Sequence, residues 1–132
     1  MNRKLECILI IDDNQDDNFY HTREIKKELP CSDVIIMETA IEALKFLKSV
    51  PETFPDLIFL DINMPAMNGW EFLEEYITLE NDLPKSITII MLSTSDNMSD
   101  IERAKSNRLV HDYVVKPLSR DLVKRINEKY FL

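Results

Sequence analysis

Five side chains that could handle phosphate and a metal ion follow apolar runs of the sequence. Asp12 and Asp13 end the segment "LIIDD", and Asp61 ends "FLD". Ser93 follows "IIML", and Lys116 follows "DYVV". Crowded carboxylates repel one another and raise one another's pKa unless a cation offsets their charge. Oxygen ligands without histidine or cysteine nearby favour a hard divalent ion, and a site of few carboxylates plus water suits magnesium better than calcium.

With a metal holding phosphoryl oxygens, this set of residues could transfer a phosphoryl group. Lys116 would pair with a second phosphoryl oxygen, and the hydroxyl of Ser93 would donate to a third. The carboxylate of Asp61 is then placed to act as an in-line nucleophile. A carboxylate at the rim of an apolar core is costly to desolvate. Accepting phosphate would explain why Asp61 is kept there.

Apolar runs alternate with helical segments along the chain. The runs, which predict strands, cover residues 5–11, 34–37, 57–60, 87–92 and 113–115. Apolar residues recur at helical intervals in 40–47 and 70–77, and Ser119 is a suitable N-cap for a last helix. Helices at about 16–29 and 99–106 are expected from the alternation. This order predicts an α/β fold with a parallel sheet covered on both faces, and function beyond the carboxyl ends of its strands.

Composition narrows the class of protein. The chain has 132 residues, which is the size of one domain with a substantial core. Its formal charge is −8, and no cluster of basic residues suits duplex DNA, so direct nucleic-acid binding is not expected. No apolar segment is long enough to cross a membrane, and the N-terminus lacks the features of a secretory signal. We expect a cytoplasmic protein with reduced cysteines at Cys7 and Cys31.

Four segments resemble the signature segments of bacterial response-regulator receiver domains, in order and at matching spacing. They are "LIIDDN", "DLIFLDINMPAMNGWEFL", "IIMLSTS" and "DYVVKPLS". The resemblance covers essentially the whole chain, and it implies one receiver domain over residues 1–132 without an output domain. It also implies a flavodoxin-like, doubly wound (βα)5 sandwich whose five-stranded parallel sheet has the strand order 2-1-3-4-5.

The resemblance assigns roles to the residues that match the family's motifs. It implies that Asp61 is the phosphoacceptor and that Asp13 and Asp61 bind Mg²⁺, with the backbone carbonyl of Asn63 as a third ligand. Asp12 would act mostly through a metal-bound water.

The same resemblance implies a conformational switch. Ser93 matches the switch hydroxyl, Lys116 the lysine that pairs with phosphate, and Tyr113 the aromatic residue that swings inward. Pro117 matches a proline preceded by a cis peptide bond. Gly69 falls where the loop after the acceptor enters a helix, a place where we expect φ > 0.

The chain also departs from the family's common pattern. Thr94 stands where alanine or glycine is common, and its β-branched side chain should narrow access to the phosphoryl group. We therefore expect Thr94 to act as a gate that lengthens the phosphorylated state.

The resemblance implies a stand-alone response regulator, not an enzyme that turns over separate substrates. Its partners would be a histidine kinase or histidine phosphotransfer protein and a downstream protein, with a possible homodimer or a place in a phosphorelay. A magnesium-dependent phosphatase of the haloacid-dehalogenase type is the alternative. That class needs a second acid two residues after the nucleophile, where this chain has Asn63.

Other polar and aromatic residues receive structural interpretations. His21 and His111 are expected to be surface or hydrogen-bonded histidines without a role in chemistry. Trp70 is expected to pack in the core or loop. Asp16 and Asp17 are interpreted as first-turn charges that favour the helix dipole.

Overall fold

Five parallel strands form a single sheet in the computed structural model, which describes residues 4–131. The strands are β1 (Cys7–Ile11), β2 (Asp33–Met37), β3 (Leu57–Leu60), β4 (Thr88–Ser93) and β5 (Val110–Val115). They lie in the order β2-β1-β3-β4-β5, and every neighbouring pair is parallel. The predicted flavodoxin-like (βα)5 sandwich and its strand order are confirmed.

Helices cover both faces of the sheet. They are α1 (Gln15–Glu28), α2 (Ala40–Lys48), α3 (Gly69–Leu79), α4 (Met98–Ser106) and α5 (Arg120–Tyr130), with a short 3-10 helix at Glu80–Asp82. One buried apolar cluster lies between the sheet and α2, α3 and α4, and a second lies between the sheet and α1 and α5. Within residues 4–131, none of the helices has the length and apolar content needed to cross a bilayer.

The burial of each strand follows from its place in the sheet. Every residue of the central strands β1, β3 and β4 is buried, since helices cover both faces. These strands therefore appear in the sequence as unbroken apolar runs. The edge strands β2 and β5 are partly exposed. Side chains cap the five α-helices at their N-termini, and Ser119 caps α5 as predicted, with its side chain accepting from the backbone N–H of Leu122.

Strand boundaries differ from the prediction in four of the five strands. β1 begins at Cys7 instead of residue 5, and β2 begins at Asp33 instead of residue 34. β4 covers Thr88–Ser93 instead of residues 87–92, so Ser93 ends that strand. β5 begins at Val110, earlier than the predicted residue 113. The polar pair His111 and Asp112 hid this start, because an edge strand accepts polar residues. At a register shift, the backbone N–H of Ile89 donates to His111 Nδ1 at 3.2 Å.

Candidate functional site

Three carboxylates meet beyond the carboxyl ends of β1 and β3. Ile11 and Leu60, the last residues of these two strands, are register partners, so the residues that follow them lie side by side. Asp12, Asp13 and Asp61 each offer a carboxylate oxygen, and the three oxygens lie within 4.8 Å of one another. Asp12 and Asp61 are buried, whereas Asp13 is exposed. We name these three residues the acidic cluster.

Asp61 carries a carboxyl group whose negative charge is poorly stabilised by its surroundings. Burial and then the charge of Asp12 raise its pKa to about 7, against the smaller lowering effects of Lys116 and the Ile62 N–H. That N–H donates to Asp61 Oδ1 at 2.9 Å. A divalent cation would lower this pKa, because an opposite charge favours the ionised form. The acidic cluster offers the oxygen ligands that a hard cation prefers, so its donor set fits such an ion.

Asp12 is fixed in place by both neighbouring elements. Its backbone N–H donates to the Met37 carbonyl of β2 at 3.1 Å. Its Oδ1 accepts from the backbone N–H of Asn14 at 3.0 Å, and its carbonyl accepts from Asn18 Nδ2 of α1 at 2.9 Å. Asn18 is itself buried. The acid is therefore held rigidly at the end of β1.

Lys116, directly after β5, lies among three carboxylates. Its Nζ is 2.7 Å from Asp12 Oδ2, 2.8 Å from Asp17 Oδ2 and 4.0 Å from Asp61 Oδ1. Burial acts to lower the pKa of Lys116, but the hydrogen bonds to Asp12 and Asp17 and the charge of Asp61 together raise it. The peptide bond to Pro117 is cis. The lysine is a charged group within reach of the acceptor but outside hydrogen-bonding distance of it.

Ser95 connects the end of β4 with β5 and α4. Its backbone N–H donates to Ser93 Oγ at 3.2 Å, and its carbonyl accepts from the Tyr113 hydroxyl at 2.7 Å. Its own hydroxyl donates to Asp100 Oδ2 of α4 at 2.7 Å. Ser93 and Tyr113, which the family resemblance assigned to a switch, thus meet through Ser95. No role for Ser95 in this contact was expected from the sequence.

Most of the chain matches the sequence model of a known protein family. The sequence model described as "Response regulator receiver domain" matches residues 8–127. The chain belongs to this family. The residues of the acidic cluster, Ser93 and Lys116 all lie within the matched region.

Two curated relatives differ in how much of their length this chain covers. Protein PilG of Pseudomonas aeruginosa is 34% identical over 116 residues, which cover 86% of this chain and 78% of that protein. Transcriptional regulatory protein PrrA of Mycobacterium leprae is 30% identical over 120 residues, covering 90% of this chain but 47% of PrrA. This receiver therefore spans about half the length of PrrA.

Solved receiver structures share the fold. A two-component response regulator from Cytophaga hutchinsonii has a TM-score of 0.88 at 27% identity, covering 97% of this chain and 98% of that chain. The phosphorylated cyanobacterial phytochrome response regulator RcpA has a TM-score of 0.81 at 27% identity, covering 96% and 94%. The Mn²⁺-bound form of response regulator Rcp1 has a TM-score of 0.68 at 30% identity, covering 93% and 90%.

Two other predicted residues of this receiver lie at the open side of the site. Asn63 is exposed in the loop that follows β3. Thr94, also exposed, lines an open groove beside the site together with Lys116 and Pro117. The roles of Asn63 and Thr94 as metal ligand and gate stay predictions.

Two residues of α1 differ from their predicted roles. Asp17 is more than a first-turn charge, since its carboxylate accepts from Lys116 Nζ. His21 is not a surface histidine, because it is 1% exposed and its Nδ1 has no hydrogen-bond partner among the described residues. Burial, and then the charge of Lys116, lower the pKa of His21. Asp17 and His21 lie one turn apart, and this spacing could have indicated that one face of α1 borders the site.

The loop between Asp61 and α3 differs from the prediction in the backbone conformation of Gly69. Gly69 does not have a positive φ, whereas Ala66, three residues earlier, has φ of 68°. The backbone N–H of Gly69 donates to the Ile62 carbonyl at 2.8 Å, which draws the start of α3 against the end of β3. Trp70, next in α3, is buried as predicted, and the Arg103 guanidinium of α4 lies 4.5 Å from its ring centre. Gly69 is required for close approach of two backbones.

Proposed function

We propose that this receiver accepts a phosphoryl group on Asp61 in a reaction that requires Mg²⁺. The observation that carries the proposal is the position of Asp61, which lies in the acidic cluster with Lys116 Nζ 4.0 Å from its carboxylate. The donor would be the phosphohistidine of a histidine kinase or of a histidine phosphotransfer protein. Membership of the receiver family supports this choice over the haloacid-dehalogenase alternative.

Phosphoryl transfer would proceed by attack of an Asp61 carboxylate oxygen on phosphorus. The bond between phosphorus and the donor imidazole nitrogen breaks, and its electron pair leaves with the imidazole, which takes a proton from water. Attack requires the ionised carboxylate, so the raised pKa of Asp61 has to be lowered before the reaction. Lys116, whose Nζ lies 4.0 Å from Asp61 Oδ1, and the Ser93 hydroxyl would donate to the transferred oxygens.

Mg²⁺ would neutralise the carboxylates and the phosphoryl oxygens when bound. Asp13 and Asp61 would hold it directly, the backbone carbonyl of Asn63 would be a third ligand, and Asp12 would act through water. The donor set of the acidic cluster supports a hard divalent cation. The Mn²⁺-bound relative Rcp1 supports divalent binding within this family.

A phosphoryl group on Asp61 would act on the contacts of Ser95. It offers strong acceptors to the Ser93 hydroxyl, which now accepts from the Ser95 N–H. Movement of Ser93 would carry Ser95, and with it Tyr113 and Asp100 of α4. The signal would leave through the face formed by α4, β5 and α5. That face would bind a downstream protein or a second copy of the chain, not nucleic acid or a membrane.

On this proposal the chain is a signalling domain and not an enzyme with separate substrates. It would catalyse only its own phosphorylation and dephosphorylation, as a switch or as a phosphorelay intermediate. The cytoplasmic location and the single-domain arrangement over residues 1–132 stay predictions.

The proposal is tested by phosphotransfer from purified, autophosphorylated histidine kinases, with Mg²⁺ or with a chelator. Label should move to the wild-type chain only with Mg²⁺, and Asp61→Asn should receive none. Asp96→Asn, an exposed acid in the loop after β4, is the control and should be labelled normally. Full labelling of Asp61→Asn would contradict the assignment. Repeated turnover of a small phosphate ester would favour the phosphatase alternative instead.

A further inference from the structure

Lys116 is engaged by an acid that lies outside the acidic cluster. Asp17, on α1, accepts a hydrogen bond from Lys116 Nζ at 2.8 Å, whereas Asp61 is 4.0 Å from the same nitrogen. We propose that Asp17 restrains Lys116 and so weakens the hold of the site on a phosphoryl group. Asp17 is then a positioning residue that acts through Lys116. This inference rests on the proposed function, because it concerns the same phosphoryl group.

The geometry separates Asp17 from the other acids around Lys116. Asp12 belongs to the acidic cluster, so a cation bound there would also neutralise Asp12 and weaken its attraction for Lys116. Asp17 is not a member of that cluster. Its charge would remain, and it would become the principal anchor of the lysine in the metal-loaded receiver.

Burial makes the restraint on Lys116 effective. The Lys116 side chain is 8% exposed, so water can do little to replace the contacts that it loses. The Asp17 side chain is 33% exposed, which limits the strength of the ion pair. A phosphoryl group on Asp61 would compete with Asp17 for the Lys116 ammonium group, which Asp17 holds at 2.8 Å.

Beryllofluoride with Mg²⁺ is the probe for this proposal, because it mimics the phosphoryl group at equilibrium and no label has to be transferred. Binding can be followed through fluorescence, since Trp70 is the chain's only tryptophan and lies at the start of α3 near the site. Asp17→Asn keeps the shape of the side chain and removes its charge. We expect Asp17→Asn to bind beryllofluoride about two- to fivefold more tightly than the wild type, as expected for loss of a partly exposed ion pair.

Asp16→Asn is the matched control. Asp16 is the neighbouring acid in the same helical turn and is exposed, so its substitution gives the same change in net charge and helix dipole. It should change beryllofluoride affinity less than Asp17→Asn does. Asp17→Glu keeps a carboxylate that can reach Lys116, and its affinity should stay near the wild-type value. Equal affinities of Asp16→Asn and Asp17→Asn, or weaker binding by Asp17→Asn, would overturn the proposal.

A double-mutant cycle links the effect to the lysine. In a Lys116→Met background, Asp17→Asn should strengthen binding no more than Asp16→Asn does, because the restrained group is gone. NMR of the Lys116 ammonium protons gives a second measurement that does not involve the phosphoryl mimic. These protons should exchange with water faster in Asp17→Asn than in the wild type. The proposed restraint would be contradicted if Asp17→Asn strengthened beryllofluoride binding equally in the Lys116→Met background. It would also be contradicted if the exchange rate of the Lys116 ammonium protons were the same in Asp17→Asn and the wild type.

The failure of this inference differs from the failure of the proposed function. If the wild-type receiver binds no beryllofluoride and takes no phosphoryl group, the function itself is wrong. If the wild type binds and Asp17→Asn behaves like Asp16→Asn, the function stands and the role of Asp17 is wrong. Urea unfolding of each variant confirms that the compared proteins are folded.

Discussion

Gly69 packs directly against the backbone of Asp61. A Cβ atom added to Gly69 would lie 2.4 Å from the Asp61 carbonyl oxygen and 3.0 Å from Ile62 Cα. The obstacle is backbone, which cannot move aside as a flexible side chain would. The chain's only glycine therefore lets α3 begin against the strand end that carries the acceptor.

Gly69→Ala should destabilise the protein and disturb the site together. The clash forces α3 away from Asp61, and we expect a loss of about 2 kcal/mol in the free energy of unfolding, typical of overpacking. Urea denaturation measures the loss. Ala66→Gly, in the same loop, is the control, because Ala66 has φ of 68° and glycine adopts that conformation without strain. A Gly69→Ala protein as stable as the wild type would show that the two backbones can separate freely.

Asp61→Asn should stabilise the metal-free protein, and more so at high pH. The pKa of Asp61 is raised in the folded state to about 7, so the folded protein favours the neutral acid. Below the unfolded pKa the carboxyl group is neutral in both states and costs nothing. As pH rises from the unfolded pKa to about 7, the wild type loses stability, and the loss levels off above 7, whereas asparagine does not titrate.

Urea denaturation at pH 5 and pH 8 measures this difference. The raised pKa of Asp61 sets an upper limit of about 4 kcal/mol on the stability that the wild type loses at high pH. Solvent screening reduces the expected loss to about 2 kcal/mol at pH 8. Added Mg²⁺ should diminish the advantage of Asp61→Asn, because the ion stabilises the ionised carboxylate. Asp96→Asn should show no such pH trend. A constant difference between the two pH values would contradict the raised pKa.

Tyr113→Phe should uncouple phosphorylation from the response of α4. The substitution removes the hydroxyl that donates to the Ser95 carbonyl, a bond worth about 1 kcal/mol, and leaves the acidic cluster intact. Asp61 should still be phosphorylated. Amide NMR shifts of α4 on adding beryllofluoride should become smaller. Tyr130→Phe is the control, since that hydroxyl donates to the His111 carbonyl elsewhere on β5. Equal α4 responses in Tyr113→Phe and Tyr130→Phe would argue against the Ser95 connection.

Thr94→Ala should shorten the lifetime of the phosphorylated state. Thr94 lines the open groove beside Lys116, where its branched side chain narrows the path for an in-line water. The measurement is loss of label after donor removal, at fixed Mg²⁺. Loading from acetyl phosphate should become faster as well. If the alanine variant decays no faster than the wild type, Thr94 is not a gate.

The fold could be predicted from the sequence because the central strands of its sheet are uniformly apolar. The central strands β1, β3 and β4 are buried on both faces and appear as apolar runs. The edge strand β5 was predicted too short, since His111 and Asp112 face an environment that does not demand apolar side chains. The hydrophobic pattern of the sequence identifies strands that are fully buried, and it fails for strands that are only partly buried.

The sequence predicted those site residues that lie at the carboxyl ends of strands. Asp12, Asp61 and Lys116 are brought together by the parallel register, which the order of elements implies. Asp17 and His21 were misread because their environment depends on how α1 packs against the Lys116 loop. The one-turn spacing of Asp17 and His21 places both on one face of α1, but it does not show that this face contacts Lys116. The role of Ser95 was missed for a similar reason, since two of its contacts are backbone groups.

Chemical trapping of the aspartyl phosphate identifies the residue that accepts the phosphoryl group. The receiver is incubated with acetyl phosphate and Mg²⁺ and treated with borohydride, which reduces an aspartyl phosphate to homoserine, and the peptides are sequenced by mass spectrometry. Homoserine is expected at position 61, with unmodified aspartate at positions 12, 13 and 17. Homoserine at another position, or none at position 61 in protein shown to carry phosphate, would show that Asp61 is not the acceptor.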